Sequence, residues 1–158
     1  MATITAQLTV NSDITDYGLG INKTMTMTKA GTNNGLDRTT GVQRVYLTDT
    51  KHIDLAKGGL ANTNLADMTL SASAKVYIKY LEDDTSKFIR IGLGNEADST
   101  TATANNGDGT HFEIGRLYGN EWMIIPWNGA SNVGDITVQP SVATSADKAI
   151  VEYIVFFE

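Results

Sequence analysis

Apolar and polar residues alternate strictly at the start of this chain. Over residues 3–10, Ile4, Ala6, Leu8 and Val10 fall on one side, and Thr3, Thr5, Gln7 and Thr9 on the other. A strand sends successive side chains to opposite faces, whereas a helix needs apolar residues three and four apart, so this period of two predicts a strand with one dry and one wet face. The pattern recurs. In residues 21–29, Met25 and Met27 oppose a row of Thr and are expected to pack inward. In 42–48, Val45 and Leu47 oppose Arg44 and Tyr46, and in 71–81, Val76, Ile78 and Tyr80 oppose Lys75, Tyr77 and Lys79. Ile89, Ile91 and Leu93 align in 87–93.

Turn residues punctuate these runs: Asn11-Ser12-Asp13, the Gly- and Asn-rich 31–35, the polar 82–86 and the pair Gly119-Asn120, which tolerates positive φ. Two hairpins are therefore expected, one joining 71–81 to 87–93 and one joining 111–118 to 121–127, with Phe112, Ile114, Trp122 and Ile124 as apolar partners. Pro126 lacks an N–H, which puts its strand at an edge or bend. Residues 51–55 read as a short strand, 60–68 as a single helical turn or a loop, and 136–138 as a short strand. Residues 148–158 are apolar on both faces, the mark of a strand that is central or sandwiched by a partner. Roughly eight to ten short strands with little helix predict an all-β fold, a β-sandwich with jelly roll the leading topology.

With 158 residues, one sandwich domain over 1–158 is expected, residues 1–30 forming an N-terminal arm or an edge-strand region. The 21 Thr suit half-exposed pleated faces. Against 18 Asp and Glu stand 12 Lys and Arg, a net charge of −6, so a phosphate backbone would be repelled and no nucleic-acid partner is expected. No apolar run is long enough to cross a membrane as a helix, and the N-terminus has no basic and apolar leader pattern. The absence of Cys removes disulfides, thiolate metal sites and thiol nucleophiles.

Chemistry-bearing patterns are sparse. The two His, His52 and His111, stand among many hydroxyls without a nucleophile-elbow, P-loop or dinucleotide signature, so no catalytic residue and no cofactor is assigned. Residues 105–110 resemble a calcium loop, but no Glu stands at the twelfth position, so they read as a polar turn and no metal is assigned. Glu82-Asp83-Asp84 reads as a solvated hairpin tip. Residues 94–109 form a long polar loop, the best candidate for a surface projection. Lys75, Lys79, Lys87 and Arg90 lie on one expected hairpin and would make a small positive patch if they share a face. Among the aromatics, alternation groups Trp122 with Ile124 in the core, while Trp127, after Pro126 at a strand end, is the one assigned to the surface. The candidate interface or ligand surface is thus Trp127, Tyr118, Tyr77 and Arg90.

The segments 75–81 and 88–92, then 112–122 and 124–127, and a closing strand like 151–158 resemble small β-sandwich virion proteins of tailed bacteriophages. The likeness covers roughly residues 70–158 and rests on strand patterns and a turn. It implies a non-enzymatic structural role, with a capsid decoration (cement) protein that binds and stabilises the assembled head favoured. The partners it implies are the major capsid protein or other virion proteins, in virions assembled in the host cytoplasm; self-association as a trimer is expected because the strand apolar on both faces and the Thr-rich N-terminal strand suggest completion by a neighbour. The alternatives are a tail, neck or fibre component involved in host attachment, or a carbohydrate-binding module.

Overall fold

The computed structural model describes residues 4–12, 19–29, 31–32, 34–36, 38–47, 53–54, 59–60, 74–94, 111–127, 135–141 and 149–157. Among these the fold is all-β, with no helix. The strands are β1 (Ile4–Ser12), β2 (Leu19–Met27), β3 (Arg38–Thr39), β4 (Gln43–Leu47), β5 (Ile53–Asp54), β6 (Gly59–Leu60), β7 (Ala74–Tyr80), β8 (Phe88–Gly94), β9 (His111–Tyr118), β10 (Trp122–Trp127), β11 (Asp135–Pro140) and β12 (Ala149–Phe157). The expected helical turn or loop at 60–68 and the loop at 94–109 fall almost entirely outside the described residues.

Two antiparallel sheets share one core. The first runs β10–β7–β12, with β3 and β4 both on the far side of β12; the second runs β11–β8–β9, and β5 lies alongside β11. Between them pack Val45 and Leu47 of β4, Val76 and Ile78 of β7, Val151, Tyr153 and Val155 of β12, Ile89 and Ile91 of β8, and Ile136 and Val138 of β11. The strand orders β10–β7–β12–β4 and β9–β8–β11, with β5, which pairs with β6, lying beside β11, follow the strand arrangement of a jelly roll. The chain changes sheets between β7 and β8, between β9 and β10, and again before β11 and before β12.

That topology corrects both expected hairpins. β7 pairs with β10 and β12, not β8; β9 pairs with β8, not β10. The polar turns at 82–86 and 119–120 are corners between sheets, and they pack on each other. Asn120, at φ 66°, donates its N–H to the Tyr80 carbonyl (3.1 Å) and its side-chain amide to Asp83 Oδ1 (2.8 Å). Asp84 Oδ1 accepts from the Ser86 hydroxyl and N–H (2.6 and 2.9 Å), which tightens the facing turn.

β12 is central, as its two apolar faces predicted. It pairs with β7 on one side and with β4 and β3 on the other. Thr39 faces Phe156 and Gln43 faces Tyr153, so three residues on one side oppose two on the other: a bulge, with Gly41 at φ 68° supplying the left-handed residue. Pro126 lies on β10, an edge of the first sheet, where a missing N–H costs least.

Among the described residues β1 and β2 pair only with each other, nine residues on nine. Their apolar row is only partly covered. Met27 is buried against the body, where its carbonyl accepts from the N–H of buried Leu36 (2.9 Å), but Leu8, Ile21 and Met25 are exposed. The expectation that both Met pack inward holds for Met27 alone.

Candidate binding site

The outer face of the first sheet is built by the alternate residues that the core does not take. From β10 these are Trp122, Ile124 and Pro126; from β7, Lys75, Tyr77 and Lys79; from β12, Ile154 and Phe156 beside Glu152. The Trp122 and Tyr77 rings lie 6.2 Å apart, tilted by 39°. The β1–β2 hairpin borders this face, and between the two lies a cleft of about 540 Å³. Leu8, Met25, Trp122, Met123 and Ile124 supply its apolar lining, with Lys23 and Lys75 also at its wall. A volume of this order is within the range of small-molecule and peptide-side-chain pockets. Burial, and secondarily the charge of Glu152, pushes the Tyr77 phenol above its ordinary value, so it is neutral near pH 7. Glu152 itself pairs across the sheet with Arg44 (2.9 Å).

The outer face of the second sheet is different in kind. Phe88 and Arg90 of β8 stand beside Tyr118 and Arg116 of β9, and Arg90 and Arg116 are direct register partners. The register slips at Ile91/Gly92, so that Gly115 pairs with Ile91 but Glu113 with Gly92. Ile114 is the extra residue. This bulge turns Glu113 onto the face of the two arginines and leaves Ile114 exposed. Glu113 Oε1 accepts from Arg116 Nε at 2.6 Å, while its Oε2 stands 3.7 Å from Arg90 Nε. The guanidinium of Arg116 lies 4.7 Å from the Phe88 ring centre and that of Arg90 5.6 Å, and Tyr118 meets the same ring at 5.5 Å. The hydrogen bond and charge of Glu113 raise the Arg116 pKa further, so it stays cationic.

The four residues read from the sequence as one surface are thus divided three ways. Tyr77 is on the outer face of the first sheet, Arg90 and Tyr118 share the outer face of the second, and Trp127 is in the core, 6% exposed. Trp127 and Trp122 are an odd number of positions apart, so they must face opposite ways; the assignment of inside and outside is reversed. The reason lies across the ladder, where Trp127 pairs with Ala74, a small buried residue that leaves room for an indole. Trp122 is left outside at 47% exposure, and Ile124, expected in the core with it, lies on that same outer face. Lys75 and Lys79 sit on one sheet and Arg90 on the other, so no joint basic patch forms. Glu113, Arg116 and Phe88 were missed. Only the bulge brings Glu113 to the arginines, and alternation alone puts it on the wrong face.

Among the described residues no three His, Asp or Glu gather to hold a metal ion, and no helix is long and apolar enough to cross a membrane. Comparison with protein-family models, with curated proteins and with solved structures finds no match.

Proposed function

We propose that this chain is a non-enzymatic structural protein of a virion, a decoration protein that docks on the assembled head of a tailed phage. The observation that carries the reading is the concentration of exposed apolar side chains around one cleft. Leu8, Ile21 and Met25 of the hairpin and Trp122 of the sheet are all at least one third exposed, and they line or adjoin it. A two-stranded hairpin is at best marginally stable alone and is held by what it lies against. An arm of this kind, laid on a shell, buries its apolar row there. Jelly rolls serve in capsid and lectin domains alike, so the fold supports the reading by analogy only. Self-association as a trimer belongs to the same proposal, since closed symmetry lets one arm cover a neighbour.

The test is co-sedimentation of the purified protein with assembled heads lacking it. Saturable binding is expected, reduced strongly by Met25→Asp, together with raised heat resistance of the particle, because whatever binds only the intact shell stabilises it. Failure to bind heads, with binding to tails instead, would move the protein to the tail, neck or fibre. A second reading has its own observation in the exposed Trp122 ring, tilted toward Tyr77, which would suit a sugar face. A glycan array with hits abolished by Trp122→Ala would establish it. Trp127→Ala cannot serve that purpose, because it disrupts the core.

A further inference from the structure

We infer that the outer face of β8 and β9 is a carboxylate-binding site formed by Arg90 and Arg116 beside Tyr118, and that its ligand is an acidic sugar of the uronate type. This inference does not rest on the virion reading and concerns the opposite sheet.

Arg90 and Arg116 are directly opposite each other across the ladder, an arrangement that like charges disfavour. Three features hold them there. Glu113 is turned onto their face by the bulge and takes the Nε of Arg116. Phe88 lies under both guanidiniums, fixing them by cation–π contact. The Tyr118 hydroxyl lies near Arg116. Glu113 hydrogen-bonds Arg116 at Nε and stands 3.7 Å from Arg90 at Nε; the remaining donors of each planar fork are its terminal amino groups. These are the paired donors that grip a carboxylate in two parallel hydrogen bonds.

The local charge is two cations against one anion, which matches a singly charged carboxylate. Arg90 Nε and Glu113 Oε2 are buried and face each other without a hydrogen-bond partner among the described residues, their 3.7 Å separation being too long for one. Tyr118 adds an apolar ring, 38% exposed, at the flank of the cationic pair. An acidic side chain of a protein makes no use of such a ring. A pyranose carrying a carboxylate does: its C–H face lies on the aromatic ring while the carboxylate enters the guanidinium pair.

The experiment is titration of the full chain with trigalacturonate, followed by calorimetry and by chemical shifts, beside its methyl ester and a hexaglutamate peptide. Saturable binding of the acid, with loss for the ester, is expected. Arg116→Lys keeps the charge and removes the planar fork, and should weaken binding by about tenfold or more. Arg90→Lys should act in the same direction. The ester comparison needs no variant, so it decides the matter even if a lysine variant melts early. The inference is overturned by equal binding of acid and ester, by no binding of the acid, by Lys variants that bind like wild type, or by hexaglutamate binding as tightly as trigalacturonate, which would make the partner an acidic peptide. None of these outcomes bears on whether the protein docks on heads.

Discussion

Replacing Gly119 by Ala tests the packing of the two corner turns. A Cβ built on Gly119 would stand 2.6 Å from the Glu82 carbonyl oxygen, 3.1 Å from that of Asp84 and 3.2 Å from the Asp83 carbonyl carbon. All three are backbone atoms, so no side chain can swing aside. The turn around them is held by Asn120 to Asp83 (2.8 Å), by Asn120 N–H to Tyr80 and by Tyr80 N–H to Glu121. Relief requires a shift of main chain in one corner or the other. Inserting a methyl into such a packed site costs about 1–3 kcal/mol. The reduced entropy of the unfolded chain returns about 0.4–1 kcal/mol. The net loss is about 1–2 kcal/mol, or a fall in Tm of roughly 2–8 °C for a chain of this size. Gly115→Ala is the matched control, since it makes the same chemical change in β9 at a position where nothing lies within 4 Å of the new Cβ. It should melt at or slightly above wild type. Circular dichroism melts of the three proteins suffice. If Gly119→Ala melts with wild type, or if both variants fall equally, the two corners do not pack as described.

Trp127→Ala should cost about 3–5 kcal/mol as a core truncation, whereas Trp122→Ala should cost about 1 kcal/mol or less, a contrast that chemical denaturation would read directly. A chain ending at Tyr153 loses buried Val155, half-buried Ile154, Phe156 and Phe157, and all pairing with β3. At roughly 1.5–3 kcal/mol for each fully buried side chain against a total stability of about 5–15 kcal/mol, it should give no cooperative melt, and a near-native melt would show β12 to be peripheral. The Asp84 carboxyl is held below its ordinary value by the Ser86 hydroxyl and then by the Ser86 N–H. A lowered folded-state pKa adds stability above the unfolded value and loses it as pH falls through the folded one. Stability should therefore decline below about pH 4, and Asp84→Asn should show lower stability at neutral pH with a shallower acid limb; an unchanged limb would count against the Ser86 contacts.

Alternation in the sequence was enough for the strands and for much of the core. Val45, Leu47, Val76, Ile78, Ile89 and Ile91 are buried as their parity requires. The centrality of β12 was legible too, because a strand apolar on both faces has something to cover on both. Which strands pair was not legible. A short polar turn between two strands looks the same whether the strands lie side by side or cross from one sheet to the other, and here both such turns cross. Parity also fails where the ladder slips. Ile114, expected inside, shares the parity of Arg116 and Tyr118 and is exposed with them, and one extra residue brought Glu113 round to Arg90 and Arg116. The two tryptophans mark the same limit: odd spacing sends them to opposite faces, but the choice between faces is made by Ala74 on another strand.

The position of β12 also has a kinetic consequence. β4 has no ladder partner among the described residues except β12; their tie from Arg44 to Glu152 spans 108 residues, and that from Thr40, just before β4, to Val155 spans 115. Until Ala149–Phe157 arrives, β4 and one side of β7 are bare edges with unpaired N–H and C=O groups. Closing loops of that length before any compensating contact forms places the chain among slow folders, on the order of milliseconds to seconds, like other all-β sandwiches. During that interval, the half-built sheet is a template for other chains. Refolding yield should therefore fall steeply with protein concentration, even under conditions where the finished fold is stable.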